Sequence, residues 1–130
     1  MSAKREGISS DSAPEAVGPY SQAVCAGDFL FCSGQLPLDP QSGEIVSGDL
    51  ARQTSRCLLN LEAVCLEAGC SLADAVKINI YTTRLDGFSE INRAYEEYFS
   101  GDLPPARAAV GVAELPLGAA IEIDATVVLA

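Results

Sequence analysis

Near the end of the chain, Ile121, Ile123, Ala125, Val127 and Leu129 alternate with Glu122, Asp124 and Thr126. Alternation with a period of two belongs to a β-strand, whose successive side chains point to opposite faces. One face of this strand is apolar and must be covered; the other is polar. Ala75 to Thr82 (AVKINIYT) alternates in the same way and reads as another strand. Helical periodicity lies between. Asp49 can cap a helix running to about Ala68, in which Leu50, Cys57, Leu58, Leu61, Val64, Cys65 and Ala68 form one apolar stripe and Gly69 stops the turn. Phe88 to Phe99 reads as a second helix, with Phe88, Ile91, Tyr95, Tyr98 and Phe99 on its inner side.

Val24 to Ala26 and Phe29 to Ser33 flank Gly27-Asp28 as a hairpin, and Pro104-Pro105 breaks the chain before a strand over Ala106 to Val112. The predicted order is β-β-α-β-α-β-β, an α/β domain with a mixed sheet. Right-handed crossovers put both helices on one face if the strands they join are parallel and both crossovers run the same way. The other face is then bare in a monomer. Residues 37–48 read as a loop with a short extended piece at Ile45-Val46. Residues 1–18, polar and punctuated by Gly7, Pro14 and Gly18, read as a loosely held arm, loosest over 1–12.

The length of 130 residues fits one domain spanning 1–130. Hydrophobic residues make up 48% before glycine is counted, against 20% charged. A small chain this apolar has more to bury than one core absorbs, so a homo-oligomer is expected. No run of about 18 apolar residues is present, so no membrane helix is expected. Met1 to Gly7 has basic residues but no apolar stretch after them, so no secretory signal is read there and a cytoplasmic location is expected. The net charge of −10 repels phosphate backbones, which argues against a nucleic-acid partner.

The chain has no histidine, which removes Ser-His and Cys-His nucleophilic machinery and leaves no metal site to expect. Its five cysteines (25, 32, 57, 65, 70) form no CxxC pair and read as reduced, mostly buried thiols, Cys57 and Cys65 on the core stripe. Chemistry must come from carboxylates, Tyr, Ser, Arg, backbone groups or water. After Arg93 the only basic residue is Arg107, in an almost wholly apolar run. Alternation puts Arg107 on one strand face with Ala109 and Gly111, which leave room beside a guanidinium. Together with Glu122 this points to a pocket for a small carboxylate-bearing molecule. The other reading is an Arg107–Glu122 pair whose members satisfy one another on a strand face.

Five spaced blocks add to this: Gly18-Pro19-Tyr20-Ser21-Gln22-Ala23, Ser33-Gly34-Gln35-Leu36-Pro37, Ile91-Asn92-x-x-Tyr95, Pro105-Ala106-Arg107 and Leu115-Pro116-x-x-Ala119-x-Ile121-Glu122-Ile123. In order and spacing the chain resembles the RidA/YjgF family from about residue 13 to its C-terminus. The resemblance implies a chorismate-mutase-like fold, two helices on one side of the sheet and a homotrimer packed around the other. It also implies inter-subunit clefts that hydrolyse reactive enamines and imines, such as 2-aminoacrylate and 2-iminobutyrate, to a 2-keto acid and ammonia, with no cofactor.

By position, the resemblance assigns Arg107 to the substrate carboxylate, Glu122 to the attacking water, and Tyr20 to hydrogen bonding or proton relay. Ser33, Gly34 and Asn92 line the cleft. Ala109 stands where many members carry cysteine, so a wider pocket or altered substrate range is implied. A non-catalytic carboxylate-binding or regulatory protein would use the same cleft. Ribonuclease action, a label some members carry, is opposed by the −10 charge and the missing histidine.

Overall fold

The computed structural model describes residues 4–130. Six strands and two α-helices alternate as β1 (Arg5–Ile8), β2 (Ala23–Ala26), β3 (Phe29–Gln35), α1 (Leu50–Glu67), β4 (Ala75–Thr82), α2 (Phe88–Tyr98), β5 (Ala106–Gly111) and β6 (Ile121–Val128). The strands form one sheet in the order β1-β2-β3-β6-β4-β5. Only β4 and β5 pair in parallel; every other neighbouring pair is antiparallel. Because β3 and β4 both run antiparallel to β6, they are parallel to each other across it. The crossovers through α1 and α2 therefore step along the sheet in one direction and leave both helices on one face, as the handedness rule requires.

That face holds the core. Leu30, Ile78, Ile80, Ile121, Ile123 and Val127 of the sheet pack with Cys57, Leu58, Leu61, Val64 and Cys65 of α1 and Ile91 and Tyr95 of α2. The Asp49 carboxylate accepts from Arg52 N–H at 2.9 Å and caps α1; Gly69, at φ +81°, ends it. Burial pushes the Cys57 thiol well up. It is an inert core side chain.

The opposite face has no cover within one chain. Phe31 is 48% exposed and Val110 45%, with Phe29 and Val128 exposed nearby. The bare face expected from the topology is thus present. Down its middle run Asn79 and Tyr81 of β4 and Glu122 and Asp124 of β6, with Tyr81 opposite Glu122 and Asn79 opposite Asp124.

The N-terminal segment departs from expectation. It was expected to be a loose arm, yet Arg5–Ile8 adds an antiparallel edge strand to β2. Ala13 and Pro14 are buried, and the buried Gln22 amide binds the segment at three points: it accepts from Ser10 N–H at 2.6 Å and donates to the carbonyls of Ser10 and Pro14 at 3.2 and 2.8 Å. A side chain far along the chain supplies the order that local sequence does not. Residues 1–3 of the expected arm lie outside the described residues.

Candidate functional site

The site residues fall into two groups on opposite faces of the sheet. Arg107 is paired in register with Ile78 and Ala109 with Ile80, so both share the helix-bearing face. Glu122 alternates with the buried Ile121 and Ile123 and shares the bare face with Tyr81. Within one chain Arg107 and Glu122 cannot meet. This corrects the reading of a mutual Arg107–Glu122 pair, which needs both on one side of the sheet.

Arg107 sits at the sheet edge, where β5 has no outer neighbour. Its guanidinium carbon lies 5.3 Å from the Phe88 ring centre and 4.8 Å from that of Tyr95, and its Nη1 donates to Asn92 Oδ1 at 2.7 Å. Phe88, Asn92 and Tyr95 stand at i, i+4 and i+7 of α2, one helical face. Together they are a shelf that holds the planar fork by its face and one edge. Among the described residues the only ion pair is Arg84–Asp86, so Arg107 faces no carboxylate of its own chain. Its remaining N–H groups can take a bidentate anion. Ala109 and Gly111 keep the strand beside it low. A Cβ on Gly111 would stand 2.6 Å from Leu85 Cδ1, so a larger residue there would push the exposed Leu85 side chain aside. Phe88 and Tyr95, expected on the inner side of the helix, thus also support Arg107, a role that their spacing with Asn92 in the sequence is compatible with. The Tyr95 hydroxyl is buried without a hydrogen-bond partner.

The second group lines a cleft of about 410 Å³ that includes Tyr20, Ser33, Gly34 and Glu122, with Glu15 and Pro116 at its sides. Ser33 N–H donates to the Gln22 carbonyl at 2.9 Å and its hydroxyl to the Ser21 carbonyl at 2.6 Å, which ties β3 to the segment carrying Tyr20. Tyr20 itself is 53% exposed. Gly34 lies against the Glu122 carboxyl: a Cβ there would come within 2.8 Å of Cδ and Oε1. Glycine is thus needed for Glu122 to lie where it does. Glu122 is half-buried, and its carboxyl is pushed above its ordinary value, by burial first and by Asp124 second. A carboxyl so placed takes and returns a proton more readily near neutral pH than an ordinary glutamate.

The Gly34–Glu122 contact gives a direct test. Gly34→Ala displaces the flexible end of Glu122 rather than backbone, so the fold should hold. Any reaction that uses the Glu122 carboxyl should slow about ten-fold or more. Thermal melting and steady-state kinetics on the same sample separate these effects.

Of the seven residues expected at a site, the structure brings together Tyr20, Ser33, Gly34 and Glu122 in the cleft, and Arg107, Asn92 and Ala109 at the sheet edge. The two sets stay apart within one chain. Among the described residues no three Cys, Asp or Glu side chains are placed to hold a metal ion. Among the described residues no helix is long and apolar enough to cross a membrane.

Comparison with known proteins places the chain in a family. The model of the endoribonuclease L-PSP family matches residues 10–129. A RutC family protein of Pyrococcus abyssi is 47% identical over 121 residues, covering 93% of this chain and 94% of that one. The human 2-iminobutanoate/2-iminopropanoate deaminase is 40% identical over 124 residues, covering 95% and 90%. The crystal structure of Escherichia coli TdcF with bound serine superposes with a TM-score of 0.90 at 38% identity, covering 96% of this chain and 99% of that one. With a family model spanning nearly all of it and relatives matched end to end, the chain belongs to the RidA/YjgF family.

Proposed function

We propose that this protein hydrolyses reactive 2-imino acids of the 2-aminoacrylate and 2-iminobutyrate type to 2-keto acids and ammonia, without a cofactor, at a site shared between copies of the chain in a homotrimer. One observation carries the reading. A guanidinium with no carboxylate partner is held on a ring shelf at one edge, and a proton-accepting carboxyl lies in a cleft on the other face. Each is half of a site for a carboxylate-bearing imine, and a neighbouring copy seated on the bare face brings Arg107 of one chain toward Glu122 of the next. The human relative's name and the amino acid held by the bacterial one support a small carboxylate-bearing ligand.

The chemistry follows from these groups. The Arg107 fork holds the substrate carboxylate and so fixes C2 in the cleft. An enamine first tautomerises to its imine. Glu122 takes a proton from water as the water oxygen bonds to C2, and the C=N electron pair moves to nitrogen. Glu122 then returns the proton to nitrogen, giving a C2 carbinolamine. It next takes the proton of the new C2 hydroxyl and passes it to the same nitrogen, so that the C–N bond breaks, ammonia leaves and the C2 oxygen becomes the ketone. The Tyr20 phenol at the cleft mouth hydrogen-bonds the substrate or relays a proton. Ser33 and Asn92 act through the elements they order.

The test generates 2-aminoacrylate or 2-iminobutyrate in situ and follows its lifetime by semicarbazide trapping. The imine should disappear faster with this protein than with buffer. A folded oligomer that binds a 2-keto acid but speeds no imine's loss would instead be a carboxylate-binding module.

A further inference from the structure

Asp124 is not needed by the steps above, yet it is the most firmly held carboxylate on the bare face. It stands two residues from Glu122 on the same side of β6, roughly 7 Å away along the strand. Asn79 Nδ2 donates to its Oδ1 at 2.8 Å and the Tyr81 hydroxyl to its Oδ2 at 3.1 Å. Two donors, one on each oxygen, hold the carboxyl group in one orientation. Burial first, and hydrogen bonding to Asp124 second, push the Tyr81 phenol up, so it remains a donor across the neutral range. Tyr81 also stands directly opposite Glu122. Two side chains, Asn79 and Tyr81, thus hold one carboxylate beside the group that handles the proton.

We propose that Asp124, clamped by Asn79 and Tyr81, is a positioning residue that keeps Glu122 able to accept and return a proton at the working pH. A fixed like charge in a half-buried setting disfavours ionisation of its neighbour. A carboxyl that holds its proton weakly is a weak base toward water. Of the charged groups near Glu122, Asp124 is the one that raises its proton affinity. Gly34 on β3 is uncharged, Tyr81 on β4 is neutral, and Tyr20 and Glu15 lie across the open cleft. Lys77 pairs with Thr126, beyond Asp124. Cys57 of α1 lies behind the sheet as a neutral thiol. In the assembled site the Arg107 of a neighbouring copy is engaged by the substrate carboxylate.

The consequence for rate rests on the deaminase reading, but the placement of charge can be measured without it. Glutamate side chains carrying carbon-13 at the carboxyl are titrated by NMR, with the Glu122 signal assigned by its loss in Glu122→Gln. In Asp124→Asn the Glu122 midpoint should fall. The acid limb of kcat/KM for 2-iminobutyrate should fall with it, so that the rate at the foot of that limb, relative to the plateau, rises about three-fold. KM should change by less than roughly two-fold, because Arg107 is untouched. Should Asp124→Asn fold poorly, Asp124→Ser, also neutral and an acceptor, should give the same displacement. An unmoved Glu122 midpoint in a folded neutral variant overturns the proposal, whatever the activity. A moved midpoint in a protein that hydrolyses no imine leaves Asp124's role intact and overturns the deaminase reading instead.

Discussion

Arg107→Ala should lower kcat/KM for 2-iminobutyrate by about 200- to 1,000-fold while leaving a folded oligomer. The loss corresponds to about 3–4 kcal/mol, the size expected when a bidentate charge-assisted pair to a carboxylate is removed from a partly desolvated cleft. Stability should change far less. Arg107 is exposed at the sheet edge, and its contacts within the chain are one hydrogen bond to Asn92 and two ring faces. Such stacking is worth about 0.5–1 kcal/mol at an exposed site. Arg107→Lys sharpens the test. It keeps the charge but lacks the planar fork, and an ammonium cannot lie between Phe88, Tyr95 and Asn92 in the same way. Its rate should stay well below wild type. Parallel kinetics and melting curves on the three proteins check the prediction.

Glu122→Gln should act differently. Glutamine has nearly the same shape, so it can occupy the space that Gly34 leaves open without disturbing β3 or β6. It cannot take a proton from water. Positioned general acid–base groups contribute about 10²- to 10⁴-fold, so kcat should fall within that range while KM stays near wild type. The contrast is the informative part. Loss of Arg107 weakens capture of the substrate, whereas loss of Glu122 spares capture and stops the proton. The raised proton affinity of Glu122 also fixes the sign of the pH response. The carboxylate form activates water, so rate should rise as pH increases through the Glu122 titration. Its acid limb should lie at higher pH than an ordinary glutamate would give. Rates measured across the acid range would show this directly, and a falling limb in their place would mean that Glu122 must start protonated.

Much of the fold is legible in the residues. The caps and stripe of α1, the hairpin turn at Gly27-Asp28 and the alternation of β4 and β6 are local signals, and the elements form where those signals lie. The single bare face follows from the connection rule. β1 was hidden because its order comes from pairing with β2 and from Gln22, neither of which is local. Candidate residues could be picked out, but their relative placement could not. Alternation says which residues of a strand share a face; it does not say which face turns to the helices when both are built of small residues. In β5, Arg107, Ala109 and Gly111 are no more apolar than Ala108 and Val110. Only the parallel register with Ile78 and Ile80 decides it. The ring shelf escaped for a related reason: Phe88 and Tyr95 fit a core stripe and a guanidinium support equally well.

That division of Arg107 from Glu122 permits a direct test. Arg107→Ala and Glu122→Gln proteins, each expected to keep about a hundredth of wild-type activity or less, would be unfolded and refolded together in equal amounts, and imine hydrolysis followed by semicarbazide trapping. If each site takes its arginine from one chain and its glutamate from the next, random mixing makes about one site in four intact. Activity should then return to about a quarter of the value of wild-type protein refolded in parallel. Refolded mixtures no more active than the separate variants would contradict a site shared between chains.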